Sequence, residues 1–190
     1  LKRGEINRAV CVRKSEGKAY FFEVAILSDI SEVRNAASSR YYPVEYSEVI
    51  RLIMQGSPEL RYAVVGVACA VNAFRRLILT NGRVRKRIPY LLGLVCEQYP
   101  STYYTEALIK WTGEAIADIE TVEYRLKGNV HAWAYQFCAR RKDGTWSIPI
   151  AFTETAPQLW RAGYFIPRVC NFCDDIFAEA ADATFMDAWL

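Results

Sequence analysis

The chain has 190 residues, 52% of them hydrophobic and 24% charged, with a net charge of +3. That length permits one large domain or two small ones with a full core, and the composition excludes a disordered chain. So weak a charge gives no ground for nucleic-acid binding, though it suits a polyanionic small molecule. The longest apolar run, Tyr62–Val71, is too short to span a bilayer, so no transmembrane segment is expected.

Leu1-Lys2-Arg3-Gly4 reads like the end of a helix, and the chain starts without Met, so residues are expected ahead of Leu1. Ala9–Arg13 and Ala19–Leu27 are strand-like and are joined by Ser15-Glu16-Gly17 turn chemistry, which predicts a hairpin. Ser28 or Asp29 is placed to cap a short helix running to about Ala37. A small-residue stretch, Ala36-Ala37-Ser38-Ser39-Arg40-Tyr41-Tyr42-Pro43, follows. Ser47 then caps a helix with Val49, Ile50, Leu52 and Ile53 on one side, stopped by Gly56 and Pro58.

Tyr62–Val67 is an apolar run expected of a strand buried on both faces. A turn at Gly66–Cys69 leads into a helix over Ala70–Thr80, closed by Asn81-Gly82. Cys69 therefore falls at a helix N-terminus, where partial positive charge favours a thiolate. The pattern recurs: Tyr90–Val95 reads as a second buried strand with Cys96 at its carboxyl end, and Ser101 caps a helix with Tyr104, Leu108 and Trp111 in step, ending at Gly113. If the two strands are parallel neighbours, Cys69 and Cys96 share the sheet edge where open α/β sheets bind ligands.

Thr121, Glu123, Arg125 and Lys127 alternate with Val122, Tyr124 and Leu126, as in a half-buried strand. A turn at Gly128-Asn129, a strand over Ala132–Arg140, a turn at Asp143-Gly144 and a strand over Thr145–Phe152 complete an antiparallel meander. A helix from Pro157 to about Gly163 leads to Pro167 and Cys170-Asn171-Phe172-Cys173. The fold class expected is α/β (α+β): a mixed sheet with flanking helices in the first half and an antiparallel meander in the second. The composition break at Asn81–Lys86, which reads as a loop, divides the chain into 1–82 and 83–190, together one compact unit.

Six cysteines in a sequence where no signal peptide is visible favour metal or redox use over disulfides, and the setting expected is cytoplasmic. Cys-x-x-Cys supplies two thiolates to one centre, and Cys69 and Cys96 are the natural complement. This all-thiolate set suits an iron–sulfur cluster or zinc. Structural zinc usually carries two short knuckles, and only one is present here. Cys11 and Cys138 fall inside strands and read as packing residues. Asp174 and Asp175 directly after the pair suit a cap or a role orienting a ligand, Asp174 being the favoured one. His131 reads as a surface residue. The cations Arg83, Arg85, Lys86 and Arg87 form a solvated run without a nucleic-acid reading motif.

At these same residues the chain resembles the beta subunits of coenzyme F420-reducing hydrogenase and of the related formate dehydrogenase. Ser38-Ser39-Arg40-Tyr41-Tyr42-Pro43 is similar to a Gly-Ser-Lys-Tyr-x-Pro stretch, and Val65-Gly66-Val67-Ala68-Cys69 to a Val-Gly-x-Pro-Cys turn. Gly93-Leu94-Val95-Cys96 follows at the family's interval, and Glu123–Gly128 resembles Val-x-Tyr-Arg-x-Lys. Cys170-Asn171-Phe172-Cys173-Asp174, Ala181-Asp182 and Asp187-Ala188-Trp189 are similar to the closing Cys-x-x-Cys-x-Asp, Ala-Asp and Gly-Asp-x-Trp elements. Ala68, Ala70 and Met186 depart from the family's Pro, Gln and Gly.

The resemblance implies an oxidoreductase with FAD, a 4Fe-4S cluster on Cys69, Cys96, Cys170 and Cys173, and hydride exchange with coenzyme F420. It also implies hydrogenase or dehydrogenase subunits or ferredoxin as partners, and a Gly-rich flavin-binding segment ahead of Leu1. Ser38, Ser39 and Arg40 are suited to the flavin diphosphate or ribityl chain, Arg125 and Lys127 to a phosphate or reduced flavin, and Tyr41 to ring stacking. No catalytic residue is singled out. The alternative is a non-catalytic scaffold bearing zinc or a cluster within a larger redox complex.

Overall fold

The computed structural model describes residues 1–17, 19–127 and 134–187. β1 (Arg8–Lys14) and β2 (Phe22–Leu27) form the expected hairpin, in register from Ala9–Leu27 to Lys14–Phe22. The hairpin leads into α1 (Ile30–Ala36), whose N-terminus Asp29 closes with a capping box: its carboxylate accepts from Ser31 and Glu32, and Glu32 reaches back. α2 (Ser47–Gln55) begins one residue earlier than a Ser47 cap would require. Tyr46 holds the cap position without a side-chain cap bond, and its ring packs edge-on to Phe74 at 5.5 Å.

β3 (Tyr62–Val67) runs straight into α3 (Ala68–Thr80). The segment after Asn81 is a helix, α4 (Gly82–Arg87), not the expected loop. Asn81 caps it through its side-chain oxygen, and two cations of the basic run are held by carbonyls, Arg85 by those of Ile78 and Leu79 and Arg87 by that of Ile53. β4 (Tyr90–Leu94) then returns parallel to β3, Gly66 opposite Gly93. α5 (Thr102–Trp111) follows, burying Tyr104, Thr105, Leu108 and Ile109. Trp111 is 45% exposed and out of step with that face.

The second sheet is the expected meander of β5 (Ile119–Lys127), β6 (Tyr135–Arg141) and β7 (Ile150–Ala151). A bulge between Glu123 and Leu126 breaks the alternation in β5. It leaves Leu126 exposed and buries Arg125, whose side chain is only 7% accessible. The expected strand over Thr145–Phe152 shrinks to β7 and one bridge between Arg140 and Trp146. Pro149 has no N–H to offer a ladder, and Phe152–Thr155 already turns as α6, continuing as a π-helical turn over Ala156–Trp160. The helix expected from Pro157 therefore starts earlier. The Gly128-Asn129 turn, His131 and the start of the Ala132–Arg140 strand lie outside the described residues.

A 3-10 turn over Arg168–Phe172 carries the cysteine pair, and β8 (Ala183–Phe185) pairs parallel with β4. The first sheet therefore has the order β2-β1-β3-β4-β8 and draws its last strand from the end of the chain. One core lies between this sheet and α2, α3 and α4, around Tyr62, Val64, Val71, Phe74 and Leu91. A second joins Phe22 and Tyr42 to α5 and the meander. Each fully buried side chain of this size stabilises by about 1.5–3 kcal/mol relative to exposure.

Candidate metal centre and aromatic cavity

β3 and β4 are parallel, so their carboxyl ends coincide. Cys69 lies in the first turn of α3, and Cys96 two residues beyond β4. Cys170 is the middle residue of the 3-10 turn and Cys173 directly follows it. The structure brings the four thiols together: Cys96 feels the charge of Cys69, Cys170 and Cys173, and Cys69 that of Cys170 and Cys173. Cys69 and Cys173 are exposed, and the other two are half-buried. Cys11 and Cys138 stay on β1 and β6, with burial pushing each thiol up to about 11.

The helix N-terminus does not leave Cys69 more acidic than usual. Burial raises its pKa first, the N–H groups of Ala70 and Cys69 oppose this, and the neighbouring thiols add to the rise. Cys96 is pushed up to about 11 by burial and by the other three thiols. Among the described residues, no three Cys, His, Asp or Glu side chains are drawn together tightly enough for a single metal ion. Tyr99 borders the group: its carbonyl lies 4.0 Å from Cys170 Sγ, and its hydroxyl accepts from Val44 N–H at 2.6 Å.

Asp175, not Asp174, is tied into this site. Asp174 is exposed. Asp175 accepts from Asn72 Nδ2 at 2.8 Å and from Glu179 N–H at 3.0 Å, and its carbonyl lies 3.6 Å from Cys173 Sγ. The next residue, Ile176, accepts from Cys96 N–H at 3.0 Å.

A cavity of about 290 Å³ is lined chiefly by aromatics: Tyr41, Tyr104, Tyr124, Tyr135, Phe137, Phe152 and Trp160, with Glu97 and Arg161. Tyr41 meets Trp160 and Tyr124 edge-on, at 5.0 and 5.5 Å between ring centroids. Tyr124 donates to or accepts from Thr105 at 2.5 Å, fixing a buried wall. Glu97 lines the cavity and directly follows Cys96, so the two features are one residue apart along the chain, about 3.8 Å between Cα atoms.

Of the residues suggested for a flavin, Ser39, Tyr41 and Arg125 come together. Arg125 donates to Ser39 Oγ at 3.2 Å, pairs with Asp187, and lies 4.7 Å over the Tyr135 ring, while the Tyr41 hydroxyl meets Ser39 and Arg125. Arg40 goes elsewhere. It pairs with Glu123 at 3.3 Å and lies 5.1 Å over Phe22, with its buried Nε finding no hydrogen-bond partner among the described residues. Ser38 is exposed, and the Lys127 side chain lies outside the described residues. Sequence reasoning missed Asn72, Glu97 and Tyr99. Only the helical spacing of Asn72 from Cys69 could have pointed to any of them.

Residues 60–189 match the C-terminal half of the family "Coenzyme F420 hydrogenase/dehydrogenase, beta subunit", and residues 1–51 match its N-terminal half. The chain belongs to the coenzyme F420 hydrogenase/dehydrogenase beta-subunit family. Its fold is similar to a chain from a solved F420-reducing NiFe hydrogenase complex of Methanosarcina barkeri, at 16% identity and a TM-score of 0.62. That likeness covers 95% of this chain and 58% of the other, so this chain spans somewhat over half the length of the protein it matches. A comparison with curated proteins returned no match. No helix among the described residues is long and apolar enough to cross a membrane.

Proposed function

We propose that this chain is an electron-transfer protein of the oxidoreductase type. In this proposal Cys69, Cys96, Cys170 and Cys173 hold a 4Fe-4S cluster, and FAD lies alongside to serve coenzyme F420 or a similar hydride acceptor. The single observation that carries it is the meeting of four thiols at a parallel-sheet edge, with Cys96 adjoining a residue of the aromatic cavity. The donor set fits the group: four thiols from three separated stretches suit a centre that itself fills the space between its ligands. When bound, a flavin supplies the exchange between hydride transfer and one-electron steps that a cluster alone does not make.

The protein's part is to bind and to orient. The aromatic walls of the cavity accept a planar ring and exclude water. Arg125, fixed by Asp187 and the Tyr135 ring, presents a cation beside Ser39 and Tyr41 for a phosphate or an anionic ring. Family membership and the likeness to a hydrogenase-complex chain support hydrogenase or dehydrogenase subunits as partners in a cytoplasmic assembly, with ferredoxin as another one-electron donor.

The test is anaerobic reconstitution of the full-length protein, including the segment expected ahead of Leu1, with ferrous iron, sulfide and FAD. The expected product holds about four irons and four sulfides per chain, and its bound flavin absorbance bleaches on adding reduced F420. Cys170→Ala should lose the iron. A wild-type chain that takes up no iron, or a Cys170→Ala variant that loads normally, refutes the proposal. Uptake of one zinc per chain with no flavin would instead favour the non-catalytic scaffold.

A further inference from the structure

We infer that the segment from Asp175 to Asp182 is a clamp that sets the separation of the thiols, with Asn72 and Asp175 as its positioning residues. The inference rests on the cluster proposal only for what the thiols hold. The clamp itself stands on bonds between protein groups.

Cys69, Asn72 and Arg75 are spaced three apart on α3, so they share a helix face. Along that face Asn72 bonds Asp175 Oδ2 at 2.8 Å, and Arg75 bonds the Ala180 carbonyl and Asp182 Oδ1, each at 2.8 Å. The segment is also fixed to β4. Ile176 accepts from Cys96 N–H at 3.0 Å, and Asp182 Oδ2 accepts from Leu91 N–H at 2.7 Å. Between these ties Ala178, fully buried at φ 53°, presses on Gly93. One short stretch thus bonds the helix bearing Cys69 and the strand end bearing Cys96, and it begins two residues after Cys173.

Asn72 bonds no thiol, yet its amide is the tie nearest the cysteine pair. Losing it frees the end of the clamp next to Cys170 and Cys173 from the helix bearing Cys69, while Ile176 still bonds Cys96 and Arg75 still holds the far end. Asp175 has a further duty: its other oxygen accepts from Glu179 N–H. Changing Asn72 therefore isolates the positioning role better than changing Asp175.

The experiment uses the metal-free chain, oxidised anaerobically with diamide and mapped by mass spectrometry. Two rates are compared: disulfide formation from Cys69 to Cys170 or Cys173, and formation within the Cys170–Cys173 pair. Asn72→Ala should lower the first rate relative to the second by roughly tenfold, the scale of a hydrogen bond to a charged group. Asn72→Asp should lower it at least as much, because two carboxylates then face each other. The exchange Asn72→Asp with Asp175→Asn restores an amide–carboxylate pair and should recover the wild-type ratio. An unchanged ratio in Asn72→Ala, or no recovery in the exchange, overturns the clamp. Far-UV circular dichroism of each variant separates misfolding from loss of the tie, and an Asn72→Ala variant that unfolds leaves the exchange pair to decide. In reconstituted chains Asn72→Ala should also shift the cluster's midpoint potential, with the exchange restoring it. If the wild type takes up no iron, the cluster proposal fails, and the thiol-pairing ratio still judges the clamp.

Discussion

Gly93→Ala gives the sharpest stability test. A Cβ at Gly93 would stand 2.6 Å from Ala178 Cβ and 3.0 Å from both Ala181 Cβ and Thr184 Oγ1. Ordinary contact begins at 3.4 Å, so the clamp segment must lift by about 0.8 Å or β4 must yield. None of the three neighbours is the far end of a flexible side chain. Overpacking of this kind costs about 1–3 kcal/mol, and the better strand propensity of Ala over Gly returns about 0.5–1 kcal/mol. The expected net loss is about 1–2 kcal/mol, which lowers a urea midpoint by about 0.5–1 M at an m-value of about 2 kcal/mol/M. Ala178→Gly should rescue it, because that change removes the opposing methyl and puts glycine at φ 53°. The coupling between the two sites should exceed about 1 kcal/mol in a double-mutant cycle. Gly82→Ala, with nothing within 4 Å of the added carbon, is the control and should stay within about 0.5 kcal/mol of wild type. A Gly93→Ala variant with an unchanged midpoint, or strictly additive effects with Ala178→Gly, would refute the packing account.

Glu123→Gln leaves Arg40 and Lys14 without their carboxylate; with Arg40 only 5% exposed and Glu123 22%, urea titration should show a loss of about 2–3 kcal/mol, somewhat under the figure for a fully buried pair. Alkylation of the native, metal-free chain at pH 8 should modify Cys69 and Cys173 first and leave Cys138 for last, since a thiol pushed up to about 11 is only about one part in a thousand ionised there; peptide mapping of Cys138 among the early products would contradict its packing role. Asp29 is held below its ordinary 3.8 by bonds from Ser31 and Glu32, so its contribution is present above that value and fades as pH falls through the folded pKa. The stability gap between wild type and Asp29→Ala should accordingly close in acid, and a gap constant with pH would discount the cap. Chelation of the loaded chain should leave the far-UV spectrum folded, and cooperative unfolding on metal removal would show that the centre staples the fold.

What the sequence disclosed follows from what pattern can encode. β3 and β4 stand out because a parallel strand covered on both faces must be a short apolar run, and their ends then locate Cys69 and Cys96. β8 carries no such mark: its three residues are exposed, and it exists because β4 offers an edge. The bulge in β5 is equally silent. Glu123, Arg125 and Lys127 look like one polar face until the extra residue turns Arg125 inward. α4 was hidden because Asn81-Gly82 before a cationic run is ordinary loop chemistry, and its carbonyl partners Ile53, Ile78 and Leu79 are known only from tertiary structure. That Cys69 and Cys96 lie at one sheet edge was readable from spacing plus topology. The clamp was not, because Asn72 and Asp175 lie far apart in the chain and neither is an unusual residue for its element.

The placement of the four thiols bears on whether they staple the fold or use it. Neither hydrophobic core includes any of them: one is built on Tyr62, Phe74 and Leu91, the other on Phe22, Tyr124 and Phe137. In a zinc-stapled module the metal supplies the free energy that a small core cannot. Here apolar burial, the parallel β3–β4 pair and the bonds of Asn72, Arg75 and Asp182 already bring the thiol-bearing segments together. Under the cluster proposal, a centre added to such a chain would find the thiol-bearing segments already held near one another, so little of its binding energy would go to loop closure. Pre-positioning of this kind matters most where separations must be held while charge moves, which is the demand of electron transfer rather than of a structural staple.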